Sequence, residues 1–88
     1  MAVIYNKIAI IGMGLIGASI ARASRRAGLA NVLAGYDANP TAMRDVAALQ
    51  LVDEISNSAV AAVADADLVI MAVPVGAVGT VAETIVSH

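Results

Sequence analysis

The segment KIAIIGMGLIGASI, Lys7 to Ile20, sets three residues without side chains, Gly12, Gly14 and Gly17, directly behind an apolar, β-branched run. No other stretch narrows the choice of folds as much. A run such as Lys7 to Ile11 suits a strand buried on both faces, and the sequence after it changes period. Leu15, Ala18 and Ala21 or Arg22 fall on successive turns of a helix from Leu15 to Ala27, while Arg22, Arg25 and Arg26 gather on another, solvated side. Glycines at G-x-G-x-x-G spacing between a strand and a helix have separate jobs. The first permits a tight turn, the second lets backbone approach a ligand, and the third lets the helix pack closely on the strand.

The rest of the chain continues the alternation. Gly28 is placed to end the first helix in a left-handed conformation. Val32 to Tyr36 predicts a second strand closing on Asp37. DANP followed by Thr41 is a helix start, with Asn39 as cap and Pro40 at the first helical position, where its missing N–H costs nothing. The second helix is expected from Pro40 to about Gln50, with Met43, Val46, Ala47 and Leu49 as its apolar side. Leu51 to Ser56 is long enough only for a small edge strand, and Asn57 or Ser58 is placed to cap a brief helix through Val63. LVIMAVP, Leu68 to Pro74, has the pattern of a buried strand, and Val78, Val81, Ala82, Ile85 and Val86 give helical spacing to Val75–Ser87. Strands and helices in this order indicate a parallel sheet with right-handed crossovers. The class is α/β: a partial Rossmann-type doubly wound sheet of strand order about 3-2-1-4, truncated before the later strands of a complete one.

In such a sheet the glycine loop is expected to be a dinucleotide site; the simpler alternative is that the glycines merely ease close packing of helix on strand. The N–H groups at the start of the first helix, from Met13 through Gly14 and Leu15 to Ile16, would point at pyrophosphate oxygens and add the helix's positive end. The motif also demands an acid about 20 residues onward, at the tip of the second strand, for the adenosine ribose hydroxyls. Asp37 stands at that distance from Gly17. Its carboxylate would repel a 2′-phosphate, and Ala38 and Asn39 supply no adjacent arginine, so NAD is favoured over NADP. The plainer alternative makes Asp37 a turn residue before Asn39 and Pro40. Arg44 is expected as a solvated helix charge. Across the crevice, Val73, Pro74 and Val75 would bring backbone to the nicotinamide half, or form an ordinary strand-to-helix turn.

Composition bounds the remaining possibilities. The chain has 88 residues, 60% of them hydrophobic, two tyrosines as its only aromatics, and a formal net charge of -2. That is one small domain or part of a larger one, and so much apolar surface requires a partner chain or further sequence to complete its burial. The longest uncharged runs, Ile8 to Ala21 and Leu68 to Ala82, fall short of the roughly 20 residues of a membrane span. The amino terminus lacks the pattern of a secretory signal, so the cytoplasm is the expected compartment. Without cysteine there are no disulfides or thiolate metal sites, and the acidic balance argues against nucleic acid. No catalytic constellation is visible. His88, the single histidine, is the last residue, and neither Asp53 with Glu54 nor Asp65 with Asp67 has the further support a metal needs.

KIAIIGMGLIGASIARASRRAG, GYDANP, LQLVDEIS and ADADLVIMAVPVGAV together resemble the amino-terminal portion of prephenate dehydrogenases, including the arogenate and cyclohexadienyl variants. The resemblance spans nearly the whole chain. It implies an enzyme of tyrosine biosynthesis that oxidises and decarboxylates prephenate or arogenate and passes hydride to NAD. On that view Gly12, Gly14 and Gly17 match the phosphate loop, Asp37 the ribose-binding acid, and Val73 to Val75 the cofactor-facing strand end. Residues 1–88 would be an incomplete N-terminal dinucleotide-binding domain, inactive alone. The catalytic histidine, the substrate-binding arginine and the helical C-terminal domain are expected beyond His88. Two other readings stay open: a piece of another Rossmann dehydrogenase, of the 3-hydroxyacid dehydrogenase or imino-acid reductase type, and a non-catalytic nucleotide-binding or self-association module. The fourth strand would leave an open sheet edge, through which the chain is expected to self-associate.

Overall fold

Each apolar run bounded by glycine or a capping residue forms a strand or a helix in the computed structural model, which describes residues 4–73, 81–83 and 85. The elements are β1 (Tyr5–Ile11), α1 (Leu15–Ala27), β2 (Ala30–Tyr36), α2 (Pro40–Leu49), β3 (Glu54–Ile55), α3 (Ala59–Val63) and β4 (Leu68–Met71). Residues 81–83 and 85 are helical, in the segment expected as a last helix. The strands make one sheet of order β3-β2-β1-β4, and all three pairings are parallel. β1 and β2 each start two residues earlier than the apolar pattern indicates, because Tyr5 and Ala30 already pair across the ladder.

Right-handed crossovers explain where the helices lie. Moving from β1 to β2 to β3 keeps α1 and α2 on one face, and stepping back across the sheet to β4 puts α3 on the other. The core is accordingly double. Ile8, Ile10, Met13, Ala21, Leu33, Val46, Leu51 and Val52 fill one layer, while Ala9, Ile11 and Ala62 fill the other with Tyr36, Val63, Val69, Val81 and Ile85 around them. Alternate residues of β1 serve opposite layers, as the pleat requires.

The caps are those the sequence offers. Gly28 ends α1 at φ 64°, the Asn39 side chain accepts from Thr41 N–H at 2.9 Å, and the Ser58 hydroxyl accepts from Ala61 N–H at 3.1 Å. Two helix faces differ from expectation. α1 turns Gly17, Ala21 and Ser24 inward, and Leu15, two residues before Gly17 and so about 200° round the helix, faces solvent. In α2 Val46 is buried and Met43 half-buried, but Ala47 and Leu49 are exposed. Among the described residues the sheet ends beneath α2 at the two-residue β3, which leaves that side uncovered by them.

Polar side chains tie the strand ends opposite the glycine loop. Lys7, whose side chain is only 12% exposed, donates to Ala64 O at 2.7 Å and pairs with Glu54 at 3.3 Å, joining β1, β3 and the end of α3. Asp67 accepts from Asn6 N–H at 2.6 Å and Lys7 N–H at 3.2 Å, which sets β4 in register beside β1. Asp53 accepts from Leu33 N–H at 2.7 Å and donates its own N–H to Leu33 O at 2.8 Å, extending the β2–β3 ladder by one side chain. Arg25 pairs with this Asp53 at 3.3 Å, so it is not simply solvated as expected.

β4 differs from a strand buried on both faces. Leu68, Val69 and Ile70 are half-buried and Met71 is exposed, because among the described residues only β1 pairs with it.

Candidate functional site

Four chain segments meet at the carboxyl ends of the strands. Beyond the ladder, Gly12 N–H donates to Tyr36 O and Ala72 N–H to Ile11 O, both at 2.7 Å, so the turns after β1, β2 and β4 are held side by side. The strand order reverses between β1 and β4, and a parallel sheet opens a crevice at such a point. Here the crevice is a cavity of about 320 Å³. Ile11, Gly12 and Gly14 line it from the first turn, Tyr36, Asp37 and Ala38 from the second, and Ala72, Val73 and Val81 from the far side.

The three glycines answer three different demands. Gly12 has φ 98°, and a Cβ there would run into the Ala72 carbonyl and sit 3.0 Å from Val73 Cγ1. A Cβ on Gly17 would overlap the carbonyl oxygen of Gly12, which is how closely α1 crosses the end of β1. Gly14 differs from both: its φ is -71°, and a Cβ would meet nothing within 4 Å. The fold itself does not need a glycine at this position, so the bare backbone leaves space on the cavity side.

Gly14 is also the N-cap of α1 and offers no side-chain cap. The first bond back into the helix is Ala18 N–H to Gly14 O, at 2.9 Å, so the N–H groups of Leu15, Ile16 and Gly17 have no partner within the helix. No acidic residue occupies the first turn. The positive end of the helix thus stands uncompensated by any side chain of its own first turn, a setting that favours an anion.

Asp37 closes the site from β2. Its Oδ2 accepts from Met13 N–H at 2.7 Å and its Oδ1 from Asn39 N–H at 2.8 Å. This corrects one expectation: the Met13 N–H does not face the cavity but is given to Asp37, and the Met13 side chain is buried in the core beneath the loop. The turn role of Asp37 and its place at the cavity are both realised. Each carboxylate oxygen carries two lone pairs, so the two bonds leave capacity for hydroxyl donors.

Of the residues expected at the site, Gly12, Gly14, Asp37 and Val73 share the cavity wall. Gly17 lies behind it, while the side chains of Leu15 (86% exposed) and Ile16 (70%) point away to solvent. Pro74, Val75 and His88 lie outside the described residues. Ala38, Tyr36 and Val81 line the cavity without having been singled out, although Ala38 follows Asp37 directly. Among the described residues no group of three or more His, Cys, Asp or Glu is arranged to hold a metal, and no helix is long and apolar enough to cross a membrane.

The family model for the nucleotide-binding domain of prephenate dehydrogenase matches residues 20–88. The chain belongs to the prephenate dehydrogenase family. It is 40% identical over 79 residues to a cyclohexadienyl dehydrogenase of Zymomonas mobilis, a match that takes in 90% of the chain. The crystal structure of prephenate dehydrogenase from A. aeolicus, in complex with hydroxyphenyl propionate and NAD+, superposes with a TM-score of 0.78 at 29% identity over 88% of the chain. In each case the match takes in 27% of the relative, so the chain spans about a quarter of the length of these dehydrogenases. The parallel α/β fold of the prephenate dehydrogenase neighbour is the fold found here.

Proposed function

We propose that the chain is the N-terminal cofactor-binding portion of an NAD-dependent prephenate or arogenate dehydrogenase, a cytoplasmic enzyme of tyrosine biosynthesis. One observation carries the reading: Gly14 and Asp37 line the same cavity, at the helix end whose N–H groups lack intrahelical partners. When bound, NAD supplies the hydride acceptor for oxidative decarboxylation of the substrate.

This chain's own residues bind and orient. The Leu15, Ile16 and Gly17 N–H groups hold the pyrophosphate, which Gly14 lets come close. Asp37 accepts from the adenosine ribose hydroxyls through the lone pairs that Met13 and Asn39 leave free. Val73, on the cavity wall opposite Asp37's turn, would bring backbone to the cofactor, as would Pro74 and Val75, which follow it in sequence. Residues 1–88 form the first part of the cofactor domain, and the substrate pocket and catalytic side chains belong to a helical domain beyond it. In the 88-residue chain by itself, the β4 edge pairs with a second copy. Sedimentation is expected to show association that grows with concentration, and a monomer at high concentration would refute that pairing.

Calorimetric titration of the folded chain tests the cofactor assignment. NAD is expected to bind at least about tenfold more tightly than NADP, the difference that roughly 1.4 kcal/mol of charge repulsion at Asp37 would make. A folded chain that binds neither nucleotide, or that prefers NADP, overturns it.

A further inference from the structure

Asp37 leaves the sheet at the end of β2, so its backbone N–H has no ladder partner. The partner it finds is Met43: the N–H donates to the thioether Sδ at 3.0 Å, in a half-buried setting. Met43 reaches it because α2 begins at a fixed point. Pro40 occupies the first turn, the Asn39 side chain accepts from Thr41 N–H, and Met43 N–H donates to Asn39 O at 3.2 Å. Asp37 is thereby held at three atoms, its N–H by the sulfur, its Oδ1 by Asn39 and its Oδ2 by Met13. Met43 lines a second cleft that also takes in Asp37, and it is absent from the wall of the cavity that Gly12 and Gly14 share.

Resting on the reading of Asp37 as the ribose-binding acid, we propose that Met43 is a positioning residue for cofactor binding: its sulfur fixes the backbone of Asp37 and so the direction in which the carboxylate faces the ribose. A side chain there only to fill space could be any apolar group of similar size. The short contact from a polar N–H to the one acceptor atom in the side chain is what a filler does not require. A thioether is a weak acceptor, so the effect is modest, but among the described residues the N–H that loses it has no other partner in the sheet.

Met43→Leu keeps the apolar volume and removes the acceptor. Calorimetry is expected to show NAD binding weakened about two- to threefold, the low end of the range of one hydrogen bond. Because Met43 acts through Asp37, the double variant with Asp37→Asn should bind no more weakly than Asp37→Asn alone. Met43→Gln, which returns an acceptor on an unbranched side chain, should bind more tightly than Met43→Leu. In ¹⁵N spectra the Asp37 amide of Met43→Leu should shift and exchange faster with solvent. Unchanged NAD affinity, independent losses in the double variant, Gln no better than Leu, or an undisturbed Asp37 amide would each overturn the proposal. If the unsubstituted chain binds no NAD, the ribose reading fails, and the Asp37 amide alone then decides whether Met43 holds that backbone.

Discussion

Gly17→Ala is expected to lower the melting temperature of the chain by about 10 °C, although alanine is the better helix former. Two effects oppose each other. Replacing a glycine inside α1 by alanine favours the helix by roughly 1 kcal/mol. The new methyl, however, would overlap the Gly12 carbonyl, which is backbone and cannot rotate aside as a side chain could. Forcing α1 off the end of β1 costs about 3 kcal/mol or more, at the upper end of ordinary overpacking. The net loss of about 2 kcal/mol corresponds to a fall of that size in a domain of this length.

Gly14→Ala should give the opposite pattern. Its φ is negative and its Cβ meets nothing, so stability should fall by no more than about 1 kcal/mol, the cost of alanine at an N-cap. On the proposed reading the same methyl would meet a pyrophosphate approaching the helix end, and NAD affinity is expected to fall tenfold or more, as when a hydrogen bond to a charged group is lost. Thermal unfolding and NAD titration of the two variants separate the roles. A Gly17→Ala chain as stable as the parent would refute the steric account, and a Gly14→Ala chain that binds NAD normally would refute the open cradle.

The contrast also marks what the residue order could and could not convey. Spacing alone assigned a turn glycine, a ligand glycine and a packing glycine, and the positive φ at Gly12 and the backbone contact at Gly17 meet the first and third of those demands. Helix bounds at Leu15–Ala27 and the start at Pro40 were legible because caps are local. Side-chain direction was less so. Leu15 fits an apolar helical period, yet the face of α1 is decided by where Gly17 lets the helix touch β1, a tertiary contact outside the period. Ala47 and Leu49 fit an apolar stripe too, but the sheet beneath them stops at β3. The Met13 N–H has a partner 24 residues away in sequence, and the Met43 sulfur serves a backbone group that only the fold brings near. Local rules carry no information about such pairs.

The exposed apolar residues follow the same reasoning. Ile4, Leu15, Ile16, Leu49, Ile55 and Met71 are large apolar residues left exposed. Composition anticipated this, since a chain with this share of apolar residues and this length cannot bury them all. Relatives roughly three times as long have the material to do so.

Asp37→Asn is expected to reduce NAD affinity at least tenfold and to bring NAD and NADP affinities close together. The substitution keeps the shape and one acceptor oxygen. That oxygen can serve Met13 N–H or Asn39 N–H, but the amide nitrogen then faces the other N–H, donor against donor. Hydrogen bonds to a carboxylate are worth roughly 1.5–3 kcal/mol, so losing the charge should weaken both the turn and the ribose contacts. For NADP one term has the other sign, because the repulsion between the carboxylate and a 2′-phosphate disappears. Loss of loop geometry alone would weaken both nucleotides by the same factor and leave their ratio unchanged. A ratio that moves toward one therefore reports a carboxylate facing the ribose, and a ratio that stays fixed while both affinities fall reports a residue that only ties the glycine loop to β2.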